Sequence, residues 1–66
     1  MSRAYVFEVE DSDGYESTRV IEGAASERFA RRAAIALHLA DCHPYTAADP
    51  EAGPYVWAEL VDTVTA

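Results

Sequence analysis

The side chains best suited to chemistry cluster near the end of one predicted helix. His38 and Cys42 are four residues apart, His43 follows directly, and Asp41 lies beside them. Residues at this spacing share a helix face, and zinc sites use such pairs. Because the chain has a single cysteine and no second pair of ligands, we expect no metal and no cofactor. A metal-binding or small-molecule-binding domain built on His38, Cys42 and His43 stays open as an alternative.

Motifs for nucleophilic or phosphate chemistry are absent from the sequence. We find no glycine-rich phosphate loop and no Ser-His-Asp motif. A Cys-His nucleophile would need a pocket beside it, and 66 residues leave little room for one. We therefore expect that the protein is not an enzyme.

An acidic segment near the N-terminus is the most distinctive feature of the chain. The stretch "YVFEVEDSDGYES", residues 5–17, contains five carboxylates within one predicted hairpin: Glu8, Glu10, Asp11, Asp13 and Glu16. Twelve acidic residues face five arginines over the whole chain, for a net charge of -7. This balance argues against direct nucleic-acid binding and favours a basic partner. Two structural alternatives are plain solubility and protection of a sheet edge from aggregation.

Size and composition predict one small cytoplasmic domain spanning residues 1–66. Half of the residues are hydrophobic, which excludes a disordered tail. No apolar run approaches the roughly 20 residues of a membrane helix. The start "MSRAYVFEVE" shows no signal peptide, and one cysteine excludes an internal disulfide framework.

Alternating apolar residues predict three strands, at residues 3–10, 15–22 and 55–64. The four residues "DSDG" between the first two predict a hairpin loop. We expect residue 10 to lie opposite residue 15. In this register Thr18 and Val20 share a face with the apolar side chains of the first strand, which are Tyr5, Phe7 and Val9.

Ser26 is the predicted N-cap of a helix over residues 26–41. We expect an apolar stripe to face the sheet, formed by Phe29, Ala33, Ala36, Leu37 and Ala40. The outer side would then carry Arg28, Arg31, Arg32, Ile35 and Leu39. Ile35 and Leu39 on an outer side need a cover, which is either the loop over residues 44–54 or a second chain.

The order β-β-α-β predicts an α+β fold with a three-stranded antiparallel sheet. A right-handed crossover through the helix places the first strand in the middle, in order 2-1-3. The helix then covers one face and leaves the other open. We expect this open face to show Val6, Glu8, Glu10, Tyr15, Ser17, Arg19, Ile21, Tyr55, Trp57, Glu59 and Val61. The alternative is that Trp57 points into the core and Ala58 points outward.

The segments "MSRAYVFEVEDSDGYES" and "SERFARRAAIALHLA" resemble the small phage-encoded anti-CRISPR proteins that act on type I systems. Several of these are acidic single domains with a short sheet and a helix. The resemblance covers about two thirds of the chain at the level of pattern, and "AGPYVWAELVDTVTA" matches nothing specific. It implies binding to a Cas subunit in the bacterial cytoplasm, which blocks target DNA or nuclease recruitment, and it transfers no catalytic residue.

The sequence therefore predicts a non-enzymatic acidic inhibitor that docks on a basic protein surface. Carboxylates at i and i+2 on a strand lie about 6.8 Å apart, so the hairpin acids form a row that mimics a nucleic-acid backbone. The expected contact residues are Glu8, Glu10, Asp11, Asp13, Glu16, Glu59, Tyr15, Tyr55 and Trp57. The alternative is a homodimeric structural or regulatory module that pairs through Ile35 and Leu39 or through the open face.

Overall fold

A computed structural model describes residues 3–43 and 54–65 of the chain. It contains β1 (Arg3–Asp11), β2 (Glu16–Glu22), α1 (Glu27–Cys42) and β3 (Val56–Thr65). The three strands form one antiparallel sheet in the order β2-β1-β3. The predicted α+β fold and its strand order are confirmed. The predicted loop over residues 44–54 lies outside the described residues except for Pro54.

The core is one layer of side chains between α1 and one face of the sheet, which we call the helix face. Tyr5, Phe7 and Val9 of β1 are buried there, together with Ile21 of β2. Val56, Ala58 and Leu60 of β3 pack around them at partial burial. Phe7 and Val9 have no exposed surface, which agrees with the central position of the most apolar strand.

The first hairpin is one residue out of the predicted register. Glu10 lies opposite Glu16, and the backbone N–H of Asp11 donates to the carbonyl of Tyr15. Asp11 is therefore the last residue of β1 and not the first of a four-residue loop. Gly14 has a φ of 92°, which agrees with its predicted role in the turn.

This change of register moves every side chain of β2 to the other face of the sheet. Thr18 and Val20 are exposed and do not join the core as predicted. The reverse holds for the alternate residues: Ser17, Arg19 and Ile21 lie on the helix face, not on the open face. Tyr15, paired with Asp11, also lies towards the helix side and contacts His43 edge-on.

The helix begins after Ser26, whose Oγ accepts a hydrogen bond from the backbone N–H of Phe29. It ends at Cys42, where the N–H of His43 donates to the carbonyl of Leu39. Its boundaries lie within one residue of the predicted ones, but its orientation is not the predicted one. The residues that α1 buries against the sheet are Ala30, Ala34 and His38.

The predicted apolar stripe of α1 consequently points away from the sheet. Phe29 is 57% exposed and Leu37 47% exposed, Ala36 and Ala40 are exposed, and only Ala33 is half-buried. Small side chains at positions 30 and 34 let the helix lie close to Phe7, so the bulk of Phe29 is not needed in the core. Ile35 and Leu39, predicted on the outer side, are half-buried.

We predict that Ala34→Leu destabilises the protein and that Ala36→Leu does not. An added side chain at position 34 has no space in the core and costs about 1–3 kcal/mol. Leucine at the exposed position 36 changes the free energy of unfolding by less than about 0.5 kcal/mol. Chemical denaturation followed by circular dichroism measures both values. Equal destabilisation, or a larger loss for Ala36→Leu, would show that the helix faces the sheet through its predicted stripe.

Candidate functional site

The face of the sheet opposite the helix, which we call the open face, carries the acidic residues. Cross-strand pairing and alternation place six carboxylates there: Glu8, Glu10, Glu16, Glu22, Glu59 and Asp62. All five arginines of the chain lie elsewhere, since Arg3 and Arg19 alternate to the helix face and the others are on α1. The open face is therefore uniformly negative over the described residues.

Two pairs of glutamates lie directly opposite each other on this face. Glu8 pairs with Glu59 across β1 and β3, and Glu10 pairs with Glu16 across β1 and β2. Side chains in such positions have Cβ atoms about 4.5–5.5 Å apart, and like charges there are destabilising. The free protein thus carries unfavourable charge pairs that a cation from another molecule would relieve.

An irregularity in β3 adds one acid to the open face. Phe7 lies opposite Leu60 but Val6 lies opposite Asp62, so Val61 is an extra residue in β3. A β-bulge of this kind changes which face the following side chains occupy. Strict alternation would have directed Asp62 to the helix face, and sequence reasoning did not detect the bulge.

Trp57 lies on the open face, as predicted, and not in the core. It is 50% exposed, and its Nε1–H donates to Glu10 Oε2 at 3.2 Å. On the other side of β1 from Trp57, a surface groove of about 380 Å³ is lined by residues of β1 and β2 that include Glu8, Glu10, Glu16 and Thr18. A half-exposed indole next to carboxylates is a combination that protein interfaces favour.

Some of the remaining predicted contact residues lie at the edge of the open face, and others lie outside it. Tyr55, directly before β3, is 83% exposed, and its N–H donates to Ser12 Oγ. Asp13 is exposed at the hairpin turn. Tyr15 lies near His43 on the helix side, so it is not part of the open face.

Asp11 was expected to present charge to a partner, and this placement is wrong. Its side chain is buried, and its carboxylate accepts four hydrogen bonds. Oδ1 accepts from the backbone N–H groups of Asp13 and Tyr15 at 2.9 and 3.2 Å. Oδ2 accepts from Nε2 of His38 at 2.7 Å and from Nε2 of His43 at 2.8 Å.

Ser17 extends these contacts on the other side of His38. Ser17 Oγ lies 2.6 Å from His38 Nδ1, and Arg19 Nε donates to Ser17 Oγ at 3.1 Å. Because a carboxylate can only accept, His38 carries its proton on Nε2 and accepts the Ser17 hydroxyl on Nδ1 in its neutral form. We call Asp11, Ser17, His38 and His43 the Asp11 cluster.

The Asp11 cluster places a serine, a histidine and an aspartate in series, an arrangement that the sequence did not predict. His38 has no exposed surface, so a substrate does not reach its ring in this conformation. An acyl-transfer site also needs space for a reacting atom about 3 Å from the nucleophile. The geometry instead suits a structural contact that ties the hairpin to the end of α1.

The same hydrogen bonds determine the ionisation of Asp11. Burial by itself raises the pKa of this carboxyl. Hydrogen bonds from His38 and His43 and from the backbone of Tyr15 and Asp13 outweigh burial and hold the pKa well below its ordinary value of 3.8. Asp11 is therefore ionised at neutral pH.

The potential metal ligands near the end of α1 take part in these contacts. His38 and His43 donate to Asp11, and Cys42 Sγ lies 3.9 Å from His38 Nδ1. Within residues 3–43 and 54–65, no group of three or more His, Cys, Asp or Glu side chains is arranged to hold a metal ion.

Comparisons with known proteins give no family for this chain: no family model, curated protein or solved structure matches it. Over the part of the chain that the structure describes, no helix has both the length and the hydropathy needed to cross a membrane.

We predict that Asp11→Asn destabilises the protein much more than Asp13→Asn. The first change removes a buried anion that accepts four hydrogen bonds, whereas Asp13 is exposed in the turn. Because folding lowers the pKa of Asp11, its stabilisation is fully present above pH 3.8 and is lost as the pH falls below that value. The Asp11→Asn variant should therefore show a shallower loss of stability between about pH 4 and pH 2.

Urea denaturation at a series of pH values measures this difference. Asp13→Asn is the matched control, since it removes one carboxylate from the same turn. Equal stability of the two variants at pH 7, or parallel acid limbs for Asp11→Asn and wild type, would contradict the role given to Asp11.

Proposed function

We propose that this protein is a non-enzymatic acidic inhibitor whose open face docks on a basic surface of a partner protein. The observation that carries this proposal is the open face itself. It combines six carboxylates, no arginine among the described residues and a half-exposed tryptophan. Charge of this kind increases the rate of association, while a desolvated aromatic side chain supplies binding energy.

The cross-strand glutamate pairs support binding over solubility alone. Solubility requires only net charge, which acidic residues spread over the whole surface would supply. Placing Glu8 opposite Glu59 and Glu10 opposite Glu16 lowers the stability of the free protein without adding net charge. A row of lysine or arginine side chains on a partner would neutralise these pairs.

The resemblance to the anti-CRISPR proteins supports the identity of the partner. In this proposal the basic surface belongs to a subunit of a type I Cas complex in the bacterial cytoplasm. Such subunits hold nucleic acid through phosphate contacts from Lys and Arg. The row of carboxylates would take the place of the phosphate backbone and block target DNA or nuclease recruitment.

The direct experiment is binding to purified type I Cas surveillance complexes and their isolated subunits, measured by surface plasmon resonance over a salt series. We expect one-to-one binding that weakens steadily with added salt, because exposed charges are screened beyond about 8 Å at physiological ionic strength. Failure to bind any of these complexes at low salt would reject the Cas assignment. Binding that is insensitive to salt would reject the electrostatic mechanism.

We predict that the single change Glu8→Lys stabilises the free protein and weakens its complex. Lysine opposite Glu59 converts a like-charge pair into an opposite-charge pair, which is worth roughly 0.2–1 kcal/mol. The same lysine places a positive charge against the basic surface of the partner and repels it. Denaturation and binding measured on one sample separate the two effects. A variant that is more stable and binds as tightly as wild type would contradict the proposal.

The double change Glu8→Lys/Glu59→Lys should slow association by about tenfold or more at low salt, with a smaller effect on dissociation. Its control is Glu27→Lys/Asp41→Lys on the helix. This control loses the ion pairs of Glu27 with Arg31 and of Asp41 with Arg19, so circular dichroism first verifies that it is folded. In both double variants each substitution raises the net charge by 2, so the net charge goes from -7 to -3. Association that falls equally in the two variants would show that net charge matters and that the open face does not.

Trp57→Ala should act differently, chiefly on dissociation. Loss of an aromatic anchor at an interface costs about 2 kcal/mol or more in binding, and a half-exposed side chain is not required for folding. Trp57 is also the one tryptophan in the chain, so its fluorescence reports directly on the open face. Unchanged emission on forming the complex, together with unchanged affinity in Trp57→Ala, would exclude this residue from the interface.

A further inference from the structure

The side of α1 that points away from the sheet is both apolar and basic. Its exposed residues include Arg28, Phe29, Arg32, Ala36 and Ala40, which we call the outward face of the helix. Helical geometry places these residues on one side, opposite the buried Ala30 and Ala34. Phe29 is 57% exposed, more than the other large apolar side chains of α1, and nothing among the described residues covers it.

The open face of the sheet is complementary to the outward face in charge. It presents Glu8, Glu16 and Glu59 where the helix presents Arg28 and Arg32. It also carries exposed apolar side chains that match Phe29 in character, namely Val20, Trp57, Val61 and Val64. The two faces lie on opposite sides of one molecule, so they meet only between two copies.

We propose that the outward face of one copy docks on the open face of a second copy of this chain, head to tail. This inference uses the same open face as the proposed function and names a second occupant for it. The contact repeats the packing inside each molecule, where Ala30 and Ala34 let a helix lie close to the helix face of the sheet. On the outward face, Ala36 and Ala40 permit the same approach.

A second copy is favoured over an unrelated acidic partner because the complementary surface is already present at the same concentration. It is also favoured over pairing of two open faces, which would bring acids against acids, and over pairing of two outward faces, which would bring Arg32 near the arginines of the other copy. A head-to-tail contact does not close on itself, so it adds copies in a chain. Each added copy covers one open face and leaves one free.

Self-association and partner binding therefore compete for the open face. At high protein concentration the outward faces of other copies occupy it, and a basic partner must displace them. Dilution frees it. Since the contact relies on exposed charges, added salt should dissociate it.

Sedimentation velocity over a range reaching about 1 mM tests the proposal. We expect the weight-average mass to rise with concentration and to fall when salt is added. Arg32→Glu should lower this association at least severalfold. Arg3→Glu changes the net charge equally at an exposed residue outside the outward face, so it is the control and should associate like wild type.

A charge exchange gives the decisive result. Arg28→Glu/Arg32→Glu opposes an acidic helix to an acidic sheet. Glu8→Lys/Glu16→Lys/Glu59→Lys/Asp62→Lys gives the open face four lysines and two carboxylates, so it opposes a basic helix to a basic sheet. Each variant should be monomeric alone, and an equimolar mixture should associate again. Circular dichroism checks that both are folded. A mixture that stays monomeric, or a wild-type protein that is monomeric throughout, overturns the proposal.

Two further outcomes distinguish the alternatives. If Phe29→Asp abolishes association while Glu8→Lys/Glu59→Lys leaves it unchanged, two outward faces pair with each other and the head-to-tail contact is wrong. Arg28→Glu/Arg32→Glu keeps the open face intact. If this monomeric variant binds a Cas subunit, the proposed function is supported independently of the self-association. If the variant is monomeric and binds no Cas subunit, the proposed function is wrong and the self-association proposal still stands.

Discussion

The carboxylate of Asp11 is the interaction on which the rest of the structure depends. It lies at the end of the central strand and joins two parts of the chain: the adjoining turn, through the amides of Asp13 and Tyr15, and the distant end of the helix, through His38 and His43. A buried anion with fewer partners would destabilise a chain of 66 residues that has one thin layer of core. Its four hydrogen bonds compensate for the burial of the carboxylate, and they form only when the hairpin and the helix end are placed as observed.

Both surfaces of the molecule follow from that arrangement. Because Asp11 pairs with Tyr15, β2 turns Glu16, Thr18, Val20 and Glu22 to the open face. Because His38 must reach Asp11, α1 rotates so that Ala30 and Ala34 face the core and Phe29 faces outward. An acidic face and a basic, apolar face on opposite sides are therefore consequences of one buried contact. This explains how a very small domain offers two surfaces of opposite charge.

The elements and their order could be predicted from the sequence, because period-two alternation, the "DSDG" turn, Ser26 as N-cap and His43-Pro44 are local signals. The orientations of Glu8, Trp57 and Glu59 also followed from alternation. The register of β2 and the rotation of α1 did not, since both depend on Asp11 and His38, which lie 27 residues apart. Hydrophobicity favoured Phe29 over His38 for the core, and the bulge at Val61 has no glycine or proline to mark it. An aspartate directly before a turn and two histidines at a helix end were the available signals.

The protonation of the His38 ring tests the central claim most directly. Long-range ¹H–¹⁵N NMR of the ring nitrogens at neutral pH distinguishes the two tautomers. The Asp11 contact predicts a protonated Nε2 whose hydrogen exchanges slowly with water. A ring that averages between tautomers, or that carries its proton on Nδ1 alone, would contradict the account.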